Sequence, residues 1–175
     1  MTEAGPSPAA PGGPSNELEV ALNEALKGLN CSVEHRREET IVNAPPPDLV
    51  AVCRALTGHP RLAFDYLRCI SGVDWVTKLQ VVYHLWSTRH RHRLVVKVDL
   101  APEAPSLPSV TSVWGGADWH EREAAELFGI AFEGHPNLKP LLLFEGIEGY
   151  PMRKSYPQGV KDPTPLQRDR GEASQ

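Results

Sequence analysis

Apolar positions recur along this chain with two different periods, and each period marks an element. Leu18, Ala21, Leu22, Ala25 and Leu26 line one stripe of a helix, with Asn16 placed to cap it, Glu19 at the third helical position and Gly28 to end it. Leu49, Val52, Cys53 and Leu56 form a second stripe behind Pro45-Pro46-Pro47. Asp48 suits the start of that helix through the dipole, Gly58 closes it and Pro60 bars its continuation. Strict alternation takes over further on. Leu79, Val81, Tyr83 and Leu85 alternate, as do Leu94, Val96, Val98 and Leu100, and residues 87–92 between them are turn-forming and polar. This predicts an antiparallel hairpin of 79–86 with 93–100. Shorter strands are expected at 31–34 and 40–43, joined by a charged turn, and at 67–75, where Gly72 interrupts an apolar run. The Pro-rich stretch 101–108 reads as loop, and 110–114 as a helical turn before Gly115-Gly116.

The third helix opens the stretch 118–156. Asp118 is placed to cap it and Glu121 stands three residues on, as a capping box requires. Ala124, Leu127, Phe128 and Ala131 form the expected apolar stripe, and Gly129 is placed to end the helix in the left-handed conformation. Glu121, Arg122, Glu123 and Glu126 are read as a solvated or partner-facing surface, with Arg122 and Glu126 as an i, i+4 pair. Gly134-His135-Pro136 and Pro140 then make a stiff elbow, and Arg153-Lys154 closes a second turn.

These elements add up to an α+β fold: a small antiparallel or mixed sheet of about four to five strands, helices on one face, and an extended C-terminal segment. The expected organisation is a tail at 1–15, one domain over 16–157 and an extended or disordered tail at 158–175. Both tails are too polar to bury enough apolar surface to order themselves.

Composition narrows the function. A formal net charge of −4 without a long basic block speaks against nucleic acid. Cys31, Cys53 and Cys69 are odd in number and lack a CxxC spacing, which argues for buried thiols in a reducing compartment and against zinc or iron–sulfur ligands. No run approaches the roughly 20 apolar residues of a membrane span. The N-terminus has neither a secretory signal pattern nor an Arg-rich presequence, so a bacterial or archaeal source is expected. Candidate chemistry is thin. His90-Arg91-His92 falls in the predicted hairpin turn with no third ligand nearby. His120-Glu121 would begin HExxH, but position 124 is Ala124. No phosphate-binding glycine pattern or nucleophile elbow occurs. A free-standing enzyme would have to use His120 with Glu121, Glu123 and Glu126, three carboxylates on one helix with no companion fixed across a cleft.

Two ordered motifs carry a family resemblance. Glu121-Arg122-Glu123-x-x-Glu126-Leu127-Phe128-Gly129-Ile130, with His135-Pro136, Lys139 and Leu141-Leu142, resembles the signature of the C-type subunit of the proton-pumping NADH:quinone oxidoreductase, respiratory complex I. The later EGYPMRKSYP is similar to that family's EGHPLRKDYP-type close, with Tyr150 where His is commoner. The similarity runs from Trp114 to Pro157, and more weakly back to Leu62. The resemblance implies a cofactor-free structural and assembly subunit. Such a subunit docks on the D-type, quinone-site subunit near the B-type, iron–sulfur subunit. The iron–sulfur clusters, FMN and quinone would belong to partner subunits. The chain would sit peripherally on the cytoplasmic side of the cell membrane, attached only through the complex. It also implies that Glu121, Arg122, Glu123, Glu126, His135, Lys139, Arg153 and Lys154 either face the quinone-site subunit or pin the elbow to the helix. Relatives of the complex, the ferredoxin-linked photosynthetic complex and membrane-bound hydrogenases, use the same module, in some fused to the large subunit. The end at Gln175 leads us to expect a separate polypeptide here.

Overall fold

In a computed structural model of the chain, residues 16–37, 39–144 and 147–157 are described. The two predicted tails, 1–15 and 158–175, lie outside them. Helix α1 spans Asn16–Ala25 and is followed by β1 (Ser32–Arg36) and β2 (Glu39–Asn43). A 3-10 turn at Pro46–Asp48 feeds α2 (Leu49–Gly58). Then come β3 (Tyr66–Asp74), β4 (Leu79–Trp86), β5 (Arg93–Leu100), β6 (Ser106–Pro108), α3 (Ala117–Phe128) and β7 (Ala131–Glu133).

The main sheet has five strands in the order β1-β2-β5-β4-β3. Its pairs are antiparallel except β2 with β5, which run parallel, so the sheet is mixed. The hairpin forms in the expected register, Leu79 opposite Leu100 and Trp86 opposite Arg93. Inward-facing Val81, Tyr83, Leu85, Val96 and Val98 share one core with Leu18 and Leu22 of α1, Leu49, Val52 and Leu56 of α2, and Ala124 and Phe128 of α3. All three helices therefore cover the same face. On the other face Ile41, Val82 and Val95 make a small separate cluster.

Strand β3 forms over the expected stretch, and Gly72 pairs within it with Val81. It is glycine because a Cβ there would lie 2.5 Å from Cδ2 of Phe128, so α3 approaches the strand closely at this point. Two local expectations are corrected. The stretch 101–108 is not all loop, since β6 pairs in parallel with β7 through Leu107 and Phe132, both buried. Ala131 leaves the helix for β7 and is exposed, so the apolar stripe of α3 is Ala117, Ala124 and Phe128, with Glu121 among them.

Candidate functional site

The signature residues gather where α3 meets the elbow and the C-terminal turn. Helix α3 starts two residues earlier than the capping box requires. Gly116 is the N-cap, no side chain caps it, and Asp118 lies within the first turn. Glu121 is consequently free of a capping role and points into the core, fully buried. Its Oε1 accepts a hydrogen bond from the Val110 amide at 2.7 Å and its Oε2 one from the Ser109 hydroxyl at 2.6 Å. One carboxylate thus clamps the 109–114 turn to the helix. Burial pushes the Glu121 carboxyl above its ordinary pKa, and the Ser109 and Val110 hydrogen bonds oppose that rise.

The opposite face of α3 grips the elbow by its main chain. The Arg122 guanidinium donates from Nε to the Lys139 carbonyl at 2.8 Å and from Nη2 to the Pro140 carbonyl at 3.0 Å. The Glu126 carboxylate accepts from the amides of Leu141, Leu142 and Leu143 at 2.9, 2.7 and 3.2 Å. The expected Arg122–Glu126 pair is replaced by a division of labour in which the cation takes carbonyls and the anion takes amides of one short segment. These bonds have one ionised partner each and are about twice as strong as neutral ones.

Arg153 performs the corresponding task at the end of the helix. Its Nε donates to the Phe128 carbonyl and its Nη1 to the Pro102 carbonyl, both at 2.7 Å. A cation at a helix C-terminus also meets the negative end of the dipole. The guanidinium carbon lies 5.5 Å from the centre of the Tyr150 ring. That ring packs on Gly129, whose φ of +69° ends the helix in the left-handed conformation, as the sequence predicted. The Met152 amide donates to the Leu127 carbonyl, and the Lys154 amide donates to Oδ2 of Asp74 at the tip of β3. That last bond, first among several, holds the Asp74 carboxyl below its usual range.

His135 is buried beside Asp118 and Glu121, its Nδ1 accepting from the Asn137 amide. Glu123 is exposed, as are Lys139 and Lys154. The structure therefore turns Glu121, Arg122, Glu126, His135 and Arg153 toward the chain's own turns, and leaves Glu123, Lys139 and Lys154 open to the surroundings. Ser109, Asn137, Asp74 and Tyr150 take part and were not singled out beforehand for these roles. Ser109 and Asp74 lie 12 and 80 residues from their partners, so no local spacing marks them. An acid–base centre does not form from His120, Glu121, Glu123 and Glu126. Glu121 and Glu126 have their oxygens occupied on opposite sides of α3, and Glu123 stands in solvent.

A cavity of about 270 Å³ lies between α3 and the elbow, lined by Ala125, Ile130, Leu138, Pro140 and Tyr150 with the stems of Arg122 and Glu126. Leu138 and Tyr150 of its lining are exposed, as are Leu142, Phe144 and Met152 of the elbow and the C-terminal turn. Among the described residues no cluster of His, Cys, Asp and Glu is arranged to hold a metal ion, and no helix is long and apolar enough to cross a membrane. The three cysteines are unpaired, and burial pushes the Cys53 thiol far above its ordinary pKa. In the hairpin turn His90 and His92 stack on each other, and Nε2 of His90 bonds the Pro60 carbonyl at 2.9 Å.

Residues 42–162 match the family model described as respiratory-chain NADH dehydrogenase, 30 Kd subunit. The chain is similar to the second C-type subunit of the NADH-quinone oxidoreductase of Rhizobium meliloti, 47% identical over 67% of this chain and 66% of that protein. It is similar to the C-type subunit of the same enzyme of Roseiflexus castenholzii, 41% identical over 83% of each. Among solved structures it resembles Nqo5 of a trypsin-resistant fragment, with a TM-score of 0.58, 34% identity, and coverage of 70% of this chain and 99% of that one. It shares a fold with a chain of the archaeal membrane-bound sulfane sulfur reductase, with a TM-score of 0.68 and 23% identity over 80% of this chain and 85% of that one. With the family model spanning well over half its residues, the chain belongs to the 30 Kd subunit family of respiratory-chain NADH dehydrogenase.

Proposed function

We propose that this chain is the C-type subunit of an NADH-quinone oxidoreductase of the complex I type, and that its work there is structural. It docks on the quinone-site subunit, near the iron–sulfur subunit of B type, on the cytoplasmic side of the membrane. It holds no cofactor of its own, and NADH oxidation, electron transfer through FMN and iron–sulfur clusters, and quinone reduction take place in its partners. The observation that carries this reading is the use made of the signature charges. Arg122 and Glu126 hold main-chain carbonyls and amides of residues 139–143, Arg153 ties the C-terminal turn to the Phe128 carbonyl, and the arm so held, formed by the elbow and that turn, presents Leu138, Leu142, Phe144, Tyr150 and Met152 to solvent. A rigid apolar surface rimmed by charge fits a recognition face, because little ordering entropy remains to be lost on binding.

The test is a double substitution, Leu142→Asp with Met152→Asp, at side chains 62% and 56% exposed. The variant chain should fold with an unchanged Tm. The yield of assembled complex should fall by an amount corresponding to about 2 kcal/mol or more, as expected for interface anchors. Quinone reductase activity per assembled complex should hold constant. Normal assembly together with a collapse of that specific activity would place these residues in turnover and remove the scaffold reading.

A further inference from the structure

The buried imidazole of His135 makes bonds that only one of its protonation states permits. The Asn137 amide donates to Nδ1 at 3.0 Å, so Nδ1 carries no proton. Nε2 therefore bears the hydrogen and donates it to the Asp118 carbonyl at 3.2 Å. The same Nε2 lies 3.5 Å from Oδ1 of Asp118, a buried oxygen without a hydrogen-bond partner among the described residues, and 3.9 Å from Oε2 of Glu121. The ring is fully buried, so its bonds are not exchanged for water while the site stays closed.

We propose that His135 is a proton-operated latch on the elbow. In the neutral ring Nδ1 holds the Asn137 amide and closes the His135-Pro136-Asn137 turn. Adding a proton puts a hydrogen on Nδ1, where it confronts the amide hydrogen, and two donors do not bond. At the same time the ring's positive charge is drawn to the carboxylates of Asp118 and Glu121, both on α3. Protonation thus exchanges a bond to the elbow for attraction to the helix. The groups around the ring set the balance. Asp118 and Glu121 are the carboxylates nearest its Nε2. The Ser109 hydroxyl and Val110 amide already hold the Glu121 carboxylate. The Cys53 thiol of α2 and the Tyr83 phenol of β4 sit near Glu121 without charge at neutral pH. On the elbow side the Asn137 carbonyl accepts the Lys139 amide at 2.8 Å, and the Lys139 carbonyl is held by Arg122, so release at Asn137 is passed to the segment that Arg122 and Glu126 grip.

The experiment is nitrogen-15 NMR on the full chain, reading the His135 ring nitrogens and amide-exchange protection together between about pH 8 and pH 5, the range in which histidines titrate. Nδ1 should show the unprotonated shift at the high end. As the ring gains its second proton, Asn137 protection should fall about tenfold, the factor for one lost hydrogen bond, while Ala125 in α3 keeps its own. His135→Asn supplies a side-chain oxygen that accepts the amide two residues on, as asparagine does in Asx turns, and cannot titrate. Asn137 should stay protected across the whole range in that variant. The latch is refuted if Asn137 protection is indifferent to the state of the ring. It is refuted equally if the ring stays neutral across the range in the folded chain, or if the asparagine variant loses protection along with the wild type.

Discussion

Gly72 lies in the middle of β3 with the Phe128 ring directly over it, and alanine at this position tests how rigidly α3 is seated. A Cβ at Gly72 would stand 2.5, 2.7 and 2.9 Å from Cδ2, Cε2 and Cγ of Phe128. Ordinary carbon contacts begin near 3.4 Å, so ring or strand must retreat by about 1 Å. Phe128 has little room for this, because it is buried in the main core and its carbonyl is fixed by Arg153. Overpacking of this kind costs about 1–3 kcal/mol, offset by the roughly 0.5–1 kcal/mol that alanine saves in chain entropy, for a net loss of about 0–2.5 kcal/mol. Phe128→Leu alone should cost about 1–2 kcal/mol through the space it empties. Combined, the two changes relieve one another, so the double variant should be more stable than the sum of the single losses by about 1 kcal/mol or more. Urea unfolding of the four proteins, followed by circular dichroism, measures this coupling. If the two losses simply add, to within about 0.5 kcal/mol, the ring does not rest on Gly72 and the close seating of α3 is wrong.

Glu121→Gln should flatten part of the pH dependence of stability. Burial raises the folded pKa of Glu121 above its ordinary 4.5, so its favourable contribution is complete below that value and is lost as pH rises through the raised one. Urea unfolding at a series of pH values should show wild-type stability falling relative to the variant from pH 4.5 upward and then levelling; a difference that grows in the wild type's favour would contradict the burial argument. Glu126→Ala should expose the Leu141, Leu142 and Leu143 amides to exchange, lowering their protection about tenfold or more for the loss of a charged acceptor, with little change in the global unfolding midpoint. Unchanged exchange at those three amides would mean that the carboxylate does not hold the elbow.

The hairpin and the inward face of α2 were legible because their periods run uninterrupted. Leu79, Val81, Tyr83 and Leu85 of β4 and Leu94, Val96, Val98 and Leu100 of β5 keep the two-residue period although Val82 and Val95 are apolar on the other face, and Leu49, Val52, Cys53 and Leu56 are the buried residues of their helix. Helix α3 was misphased for a definite reason. One place on its buried stripe belongs to a carboxylate, and hydrophobic periodicity counts every Glu as outward. What makes Glu121 tolerable inside is a hydroxyl and an amide at Ser109 and Val110, partners supplied by tertiary structure. Strands β6 and β7 are three residues each and their ladder is parallel and non-local, too short to leave a period. Gly72 breaks the apolar run without breaking the strand, and only the position of Phe128 shows why a glycine stands there. The signature residues were found from their pattern. Their targets were not, because Arg122, Glu126 and Arg153 address backbone atoms, which every residue has.

That last property governs how the arm is free to change. Arg122 asks position 140 only for a carbonyl, so the proline there, which has no amide hydrogen, satisfies it fully. Glu126 asks positions 141 to 143 only for amide hydrogens. Those bonds ask nothing of the three side chains and bar only proline. The path of the arm is thereby written into α3, while the chemistry it displays is left open. A lineage can recast the outward side chain at 142 to follow a changing partner without having to re-evolve the fold that presents it.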